Sequence, residues 1–211
     1  LGRIYETLPD AEGTKEKIVR IMTPEQTEET LKSYFKDSFA GMNMLLSEKS
    51  GHLIDKGSIV NGKFNVIQST TSPTNIGMGL LQYVAGRDMK IVTEDEARNV
   101  ILKMLKAMDK MEKHKSGLFY AWYETNAEIP YPTNQYVPSI DNANLTAALK
   151  ITAEAYKDNT TPQGKEIAKI SGSLINSQDY SAIYDKNKGL LVGGITQEGR
   201  KETWHPAGVI G

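Results

Sequence analysis

Two carboxylates, Glu124 and Asp141, share one stretch of this chain with a concentration of aromatic and amide side chains. The stretch is Gly117–Leu145, GLFYAWYETNAEIPYPTNQYVPSIDNANL. It holds six aromatic residues (Phe119, Tyr120, Trp122, Tyr123, Tyr131, Tyr136) and three of the chain's eight prolines, and it shows no helical period. So aromatic a segment is expected to be ordered, and a long ordered loop inside a domain is usually functional. Sugars present flat C–H faces that stack on Trp and Tyr, and hydroxyls that carboxylates and amides bind. The chemistry suggested is therefore carbohydrate recognition, or cleavage of a glycosidic bond by a pair of carboxyl groups. Glu124 follows Trp122-Tyr123, and apolar surroundings there favour a protonated acid. Asp141 lies where a helix begins, and the helix dipole and free amides favour the ionised form that suits a base. Each residue also has a plainer role: the aromatics as a small core under the loop, Glu124 as a solvated loop acid, Asp141 as an ordinary helix N-cap.

The elements that must position this loop are helices. Residues 1–22 read as a lead-in segment and 23–211 as the domain. Thr23-Pro24-Glu25-Gln26 combines an N-cap Thr, a proline at the first helical position and a Gln that can close a capping box. From there Leu31, Tyr34, Phe35, Phe39, Met42, Leu45 and Leu46 predict an amphipathic helix over 24–47. Two β-prone pieces between glycines, near 51–57 and 62–68, read as an extended excursion. There His52 and Asp55 are polar groups able to face a cleft or to form a structural pair. Ser72-Pro73 starts a helix over 73–88, in which Gly77 and Gly79 imply close approach of a neighbouring helix or a ligand. Thr93-x-x-Glu96 is a capping box for a helix over 94–113, whose Met104, Met108 and Met111 read as core filling. Helices over 141–157 and 162–175 follow the loop as a hairpin, and Tyr180–Ile195 reads as a β-hairpin.

At 211 residues, with 39% hydrophobic and 24% charged residues, the composition is that of a globular domain. A formal charge of −1 and the lack of a Lys/Arg-rich run leave no basic field for nucleic acid. The absence of cysteine excludes disulfides, thiolate catalysis and Cys-ligated metals. No apolar run approaches the ~20 residues of a membrane span. No metal or cofactor is expected.

Three motifs carry a family resemblance: TSPTNIG (Thr71–Gly77), GLFYAWYET (Gly117–Thr125) and YVPSIDNANL (Tyr136–Leu145). In this order they resemble the glycoamylase-like domain of cyclic β-1,2-glucan synthases and of bacterial endo-β-1,2-glucanases, over roughly residues 50–195. Tyr184-Asp185, Gly189-Leu190-Leu191 and Gly193 resemble the segment that follows. The resemblance implies an (α/α)6 toroid, with inner and outer rings of six helices and a sugar cleft formed by loops at one end. Five helices are read here, so the chain is expected to supply the first half of such a toroid. A missing C-terminal half or a second chain would then cover its open side. The family usually carries Asn at the position of Ala121 and Asp at that of Glu124.

The expected function is a glycoside hydrolase acting on a β-glucan or related bacterial polysaccharide. Glu124 is then the acid and Asp141 a base or positioning group. Trp122 and Tyr123 stack on sugar rings with Tyr120 beside them, Tyr136 or Tyr131 stands at the rim, and Asn75, Asn144, His52 and Asp55 bind hydroxyls. The competing readings are a non-catalytic carbohydrate-binding or exopolysaccharide-handling protein, and a helical interaction scaffold with no sugar site. An extracytoplasmic location is expected for a protein that handles such a polymer.

Overall fold

The structure is a computed structural model, and it describes residues 5–7, 19–21 and 23–202. Most of the expected lead-in, together with Trp204 and His205, lies outside the described residues. The chain divides into two compact units, Leu1–Gly41 and Met42–Gly211.

In the first unit β1 (Tyr5–Thr7) pairs antiparallel with β2 (Val19–Ile21), and α1 (Pro24–Asn43) begins. The capping box is formed: Thr23 N donates to Gln26 Oε1 at 3.0 Å and Gln26 N to Thr23 Oγ1 at 3.2 Å. The predicted apolar face is only partly buried, since Phe39 is covered while Leu31 and Tyr34 are exposed. The helix also stops earlier than its sequence period, at Asn43 rather than near Ser47. The backbone beyond it is taken up by other pairings: Leu46 bridges Leu53, Ser47 N donates to His52 O, and Ile54 N donates to Leu45 O.

The second unit opens with a hairpin of β3 (Lys56–Val60) and β4 (Lys63–Gln68). Its turn residues, Asn61 and Gly62, both have positive φ, as a two-residue primed turn requires. Strand β5 (Thr70–Thr71) leads into α2 (Pro73–Asp88). Ser72 caps this helix by accepting from Asn75 N, with Pro73 in the first turn. Helix α3 (Glu94–Lys110) starts at the complete Thr93/Glu96 capping box. It ends at Lys110, short of the predicted 113, because Lys113 folds back and its Nζ donates to the carbonyls of Met108, Asp109 and Met111.

The loop that follows contains β6 (Tyr123–Glu124), β7 (Tyr131–Pro132) and β8 (Val137–Pro138). Helices α4 (Ser139–Tyr156) and α5 (Pro162–Asn176) come next, the latter capped by Thr161. Residues Tyr180–Ile183, expected as a strand, form a 3-10 turn. The hairpin beyond it is reduced to β9 (Tyr184–Asp185) and β10 (Leu190–Leu191), closed by Gly189 N donating to Asp185 O. Then come β11 (Gly194–Ile195), which pairs with β8, and β12 (Lys201–Glu202), which pairs with β11. Strand β6 lies between β5 and β7.

Helices α2 and α4 pack side by side, α3 packs on α2 and on α5, and α5 packs on α4. Alternate helices thus form two layers, α2 with α4 and α3 with α5. The closest approach explains a glycine: a Cβ at Gly77 would lie 3.1 Å from the Ala148 Cβ and 3.3 Å from the Leu145 Cα, so the two helices touch backbone to backbone. The apolar stripe of α3, Ala97, Ile101, Met104, Leu105 and Met108, is buried as predicted. Arg87 ties the end of α2 to that of α4, with its guanidinium 4.7 Å above the Tyr156 ring and bonded to Ala155 O.

Candidate functional site

The starts of α2 and α4 lie next to each other, and most of the polar residues singled out in the sequence gather there. Thr74, in the first turn of α2, donates from Oγ1 to Asp141 Oδ1 at 2.6 Å and accepts from Asn144 Nδ2 at 3.2 Å. Asn75, the next residue, donates from Nδ2 to Asp55 Oδ1 at 3.2 Å. The Asp55 backbone N donates to Thr70 O at 2.7 Å, and Thr70 is paired in the β5–β6 ladder with Glu124. Tyr136 is half-buried. Burial, followed by the negative charges of Glu202 and Asp141, pushes its phenol above the ordinary range. Gly194 of β11 makes room for this ring, since a Cβ there would overlap the Tyr136 hydroxyl.

Glu124 is half-buried at the outer end of β6. Its Oε2 accepts from Ser69 Oγ at 3.0 Å and its Oε1 from Asn126 N at 3.1 Å. The apolar enclosure expected from Trp122-Tyr123 is therefore not what meets the carboxyl oxygens. A serine hydroxyl can also accept, so a protonated Glu124 keeps both bonds by donating to Ser69.

Asp141 differs from expectation too. The helix begins at Ser139, and Pro138 at the cap has no side chain to offer the free amides, so Asp141 sits inside the first turn rather than at the cap. There it still gains from the positive end of the helix dipole, but its carboxylate accepts across from Thr74 of α2.

Three predicted contacts are core residues. Tyr123 is fully buried: its hydroxyl donates to Glu112 O at 2.8 Å and accepts from Tyr120 N at 2.9 Å, and burial drives the phenol far above its usual range. Its ring meets Phe119 edge-on at 6.2 Å and Tyr120 at 6.4 Å, so these aromatics are the small core under the loop. Tyr120 is likewise buried, at 3% exposure. His52 has no exposed surface and makes no pair with Asp55. Its Nε2 lies 3.2 Å from Met104 O, and burial lowers its pKa from 6.5 to about 4, so the ring is neutral near pH 7. Trp122 remains half-buried and Tyr131 exposed.

Sequence reasoning missed Thr74 and Asn142. Thr74 lies inside the TSPTNIG motif and joins the two helix starts. Asn142 is fully buried: its Oδ1 accepts from Phe119 N at 2.7 Å, and its Nδ2 donates to Phe119 O at 2.9 Å and Pro138 O at 2.7 Å. One side chain thus clamps both ends of the aromatic loop. Among the described residues no group of three or more metal-ligating side chains comes together, and no helix is long and apolar enough to cross a membrane.

No protein-family model matches the chain. Over 118 residues, 56% of its length, it is 29% identical to the cyclic β-(1,2)-glucan synthase NdvB of Rhizobium meliloti, of which it spans 4%. Among solved structures it superposes on a glucoamylase-like protein of Bacteroides caccae with a TM-score of 0.65, at 18% identity, over 85% of this chain and 42% of that one. The endo-β-1,2-glucanase of Talaromyces funiculosus, in complex with sophorose, gives 0.67 at 16% identity over 88% and 43%. That of Chitinophaga pinensis, in complex with sophorotriose and glucose, gives 0.66 at 14% over 80% and 40%. The fold is a partial α/α toroid. In this partial toroid α2 and α4 form one layer and α3 and α5 the other, and the polar cluster stands at the end where α2 and α4 start. The chain spans about two-fifths of the length of these solved relatives.

Proposed function

We propose that the chain forms one wall of the sugar cleft of a glycoside hydrolase acting on a β-glucan, with β-1,2-linked glucan as the first candidate. The observation that supports this is the gathering of Asp55, Asn75, Thr74, Asp141 and Asn144 at the starts of α2 and α4, with Glu124 on the strand paired to the one that leads into α2. The same fold is seen in endo-β-1,2-glucanases in complex with sophorose and with β-1,2-glucan. In this reading Glu124 delivers the proton to the leaving oxygen, with Ser69 holding the carboxyl group in either protonation state. Asp141, oriented by Thr74, acts as base or binds the sugar. Trp122 and Tyr136 supply ring faces, and Asn75, Asn144 and Asp55 bind hydroxyls. A polymeric substrate of this kind fits an extracytoplasmic protein.

The test is release of reducing sugar from β-1,2-glucan, with β-1,3- and β-1,4-glucans alongside, by the parent and by Glu124→Gln. Release from β-1,2-glucan that falls by ~10²–10⁴-fold in the variant is expected. Full activity in Glu124→Gln removes this residue from the mechanism. A second reading, a non-catalytic carbohydrate-binding protein, is favoured by the contacts of Glu124, whose two carboxyl oxygens are both engaged, by Ser69 and by Asn126 N. Oligosaccharide binding without bond cleavage would select it.

A further inference from the structure

A hollow of about 520 Å3, within the range of small-ligand clefts, runs along the edge strand β7. One side is β7 with the three residues after it, Tyr131, Pro132, Thr133, Asn134 and Gln135; the other is Glu112, just past the end of α3. Its walls are held through the backbone. Thr133 N donates to Trp122 O at 2.9 Å, Ala121 N donates to Tyr136 O at 2.8 Å, and Glu112 O accepts from the buried Tyr123 hydroxyl at 2.8 Å. The side chains, by contrast, are exposed and uncommitted. Asn134 Oδ1 accepts from Tyr136 N at 3.4 Å, and among the described residues the Glu112 carboxylate, the Tyr131 hydroxyl, the Gln135 amide and Asn134 Nδ2 make no hydrogen bond. A fixed frame with free polar groups loses little on binding.

The hollow also adjoins the candidate acid. Tyr131 is the cross-strand partner of Glu124, and side chains paired in this way stand on the same face of the sheet, with Cβ atoms about 4.5–5.5 Å apart. The ring that walls the hollow is thus the immediate neighbour of Glu124. An exposed aromatic face, one carboxylate and two amides are the groups that hold a sugar ring by stacking and by its hydroxyls. The lining carries a negative charge and no cation, so it favours a neutral sugar over a uronate or a phosphorylated one.

We propose that this hollow is a second saccharide subsite, separate from the helix-start cleft, which takes a neutral hexose unit of a chain that crosses Glu124. The hexose stacks on Tyr131, and Glu112, Asn134 and Gln135 bind its hydroxyls. The class of ligand rests on the carbohydrate reading above.

The experiment is two-dimensional NMR of the nitrogen-labelled chain, in the Glu124→Gln background so that the sugar stays intact, titrated with the β-1,2-linked glucose pentasaccharide. The side-chain amides of Asn134 and Gln135 report on the hollow and those of Asn75 and Asn144 on the helix-start cleft. Both pairs are expected to shift. Tyr131→Ala should weaken binding read at Gln135 by about tenfold, as removal of an aromatic anchor does, and Glu112→Gln by a similar factor, with the backbone spectrum elsewhere unchanged. Shifts at Asn75 and Asn144 with none at Asn134 and Gln135 overturn the inference and leave the functional reading standing. Shifts at Asn134 and Gln135 alone, lost in Tyr131→Ala, uphold the subsite and sink the helix-start cleft. Affinity at Gln135 that is unchanged in Tyr131→Ala overturns the inference, as does a response to choline in place of the pentasaccharide.

Discussion

Thr74 Oγ1 donates a 2.6 Å hydrogen bond to Asp141 Oδ1, and this bond joins the first turns of the neighbouring helices α2 and α4. It fixes the orientation of a carboxylate that would otherwise turn freely at the helix end. The same oxygen accepts from Asn144, so a single hydroxyl joins three residues of the candidate site.

Removing that hydroxyl therefore separates positioning from packing. Thr74→Val keeps the shape and leaves Asp141 without its partner. A loss of about 1.5–3 kcal/mol is expected for a hydrogen bond to a charged group, read by thermal or urea unfolding, with weaker glucan binding at the same time. Thr74→Ser restores the donor and should recover most of both. If Thr74→Val binds and melts like the parent, the bond orients nothing.

Asp141→Asn tests whether the carboxylate is more than a helix-start group. Since Asp141 lies within the first turn and bonds across to α2, its loss should reduce glucan turnover by at least ~10²-fold, in the range of general acid–base groups. The cost to stability should be about 1–2 kcal/mol, the dipole interaction together with the weakening of the Thr74 bond, which Asn still accepts but without charge. A large fall in melting temperature with turnover retained would reverse this assignment.

Trp122 and Tyr123 should behave oppositely. In a Trp204→Phe background, which leaves one tryptophan, titration with sophorose-series oligosaccharides is expected to change the Trp122 emission. Tyr123→Ala should destabilise by about 3–5 kcal/mol, as large aromatic truncations in a core do. Emission that stays constant while binding is measured by calorimetry would place Trp122 outside the cleft.

His52 predicts an acid limb in stability. Its pKa is lowered from 6.5 in the unfolded chain to about 4 in the folded one, because burial penalises the charged ring. The unfolded state therefore takes up the proton first. Stability from the neutral ring is fully present above pH 6.5 and is lost as pH falls to about 4, a change on the order of 3 kcal/mol. His52→Gln, whose amide can still donate to Met104 O, should flatten that limb in melting curves taken across this range. An unchanged pH profile would show that other groups carry it.

Gly117 should not tolerate a side chain. Its φ is +74°, and a Cβ there would lie 2.0 Å from Ser177 O, so Gly117→Ala meets both backbone strain and overlap. A destabilisation of about 2–4 kcal/mol is expected. Wild-type stability would mean that the turn shifts.

The helices were legible in the sequence because their punctuation is local. Ser72-Pro73, Thr93 with Glu96, and Thr161-Pro162 each satisfy a helix start within four residues, and all three formed where predicted. The start of α4 was misread because Ser139 and Asp141 are both plausible first residues. The choice is made by Asn142, whose side chain binds the backbone of Phe119, 23 residues away. The aromatics show the same limit. Successive residues of a strand point to opposite faces, so Tyr123 goes inward when Trp122 and Glu124 do not. Which of them goes inward is fixed by pairing with Thr70 and Thr71, a partner no local pattern announces. His52 was misplaced for a related reason, since its hydrogen-bond partner is a carbonyl in α3.

The Asn142 clamp makes the length of the loop it closes a free variable. Phe119 and Pro138 are held to one side chain at the start of α4, so what lies between them can be lengthened or trimmed without moving either anchor. The tip between β6 and β7, around residues 126–130, is the natural place for such changes, and doubling a flexible loop costs only ~0.6 kcal/mol in closure entropy. A scaffold built this way can recut the shape of its cleft while the helices beneath keep their packing.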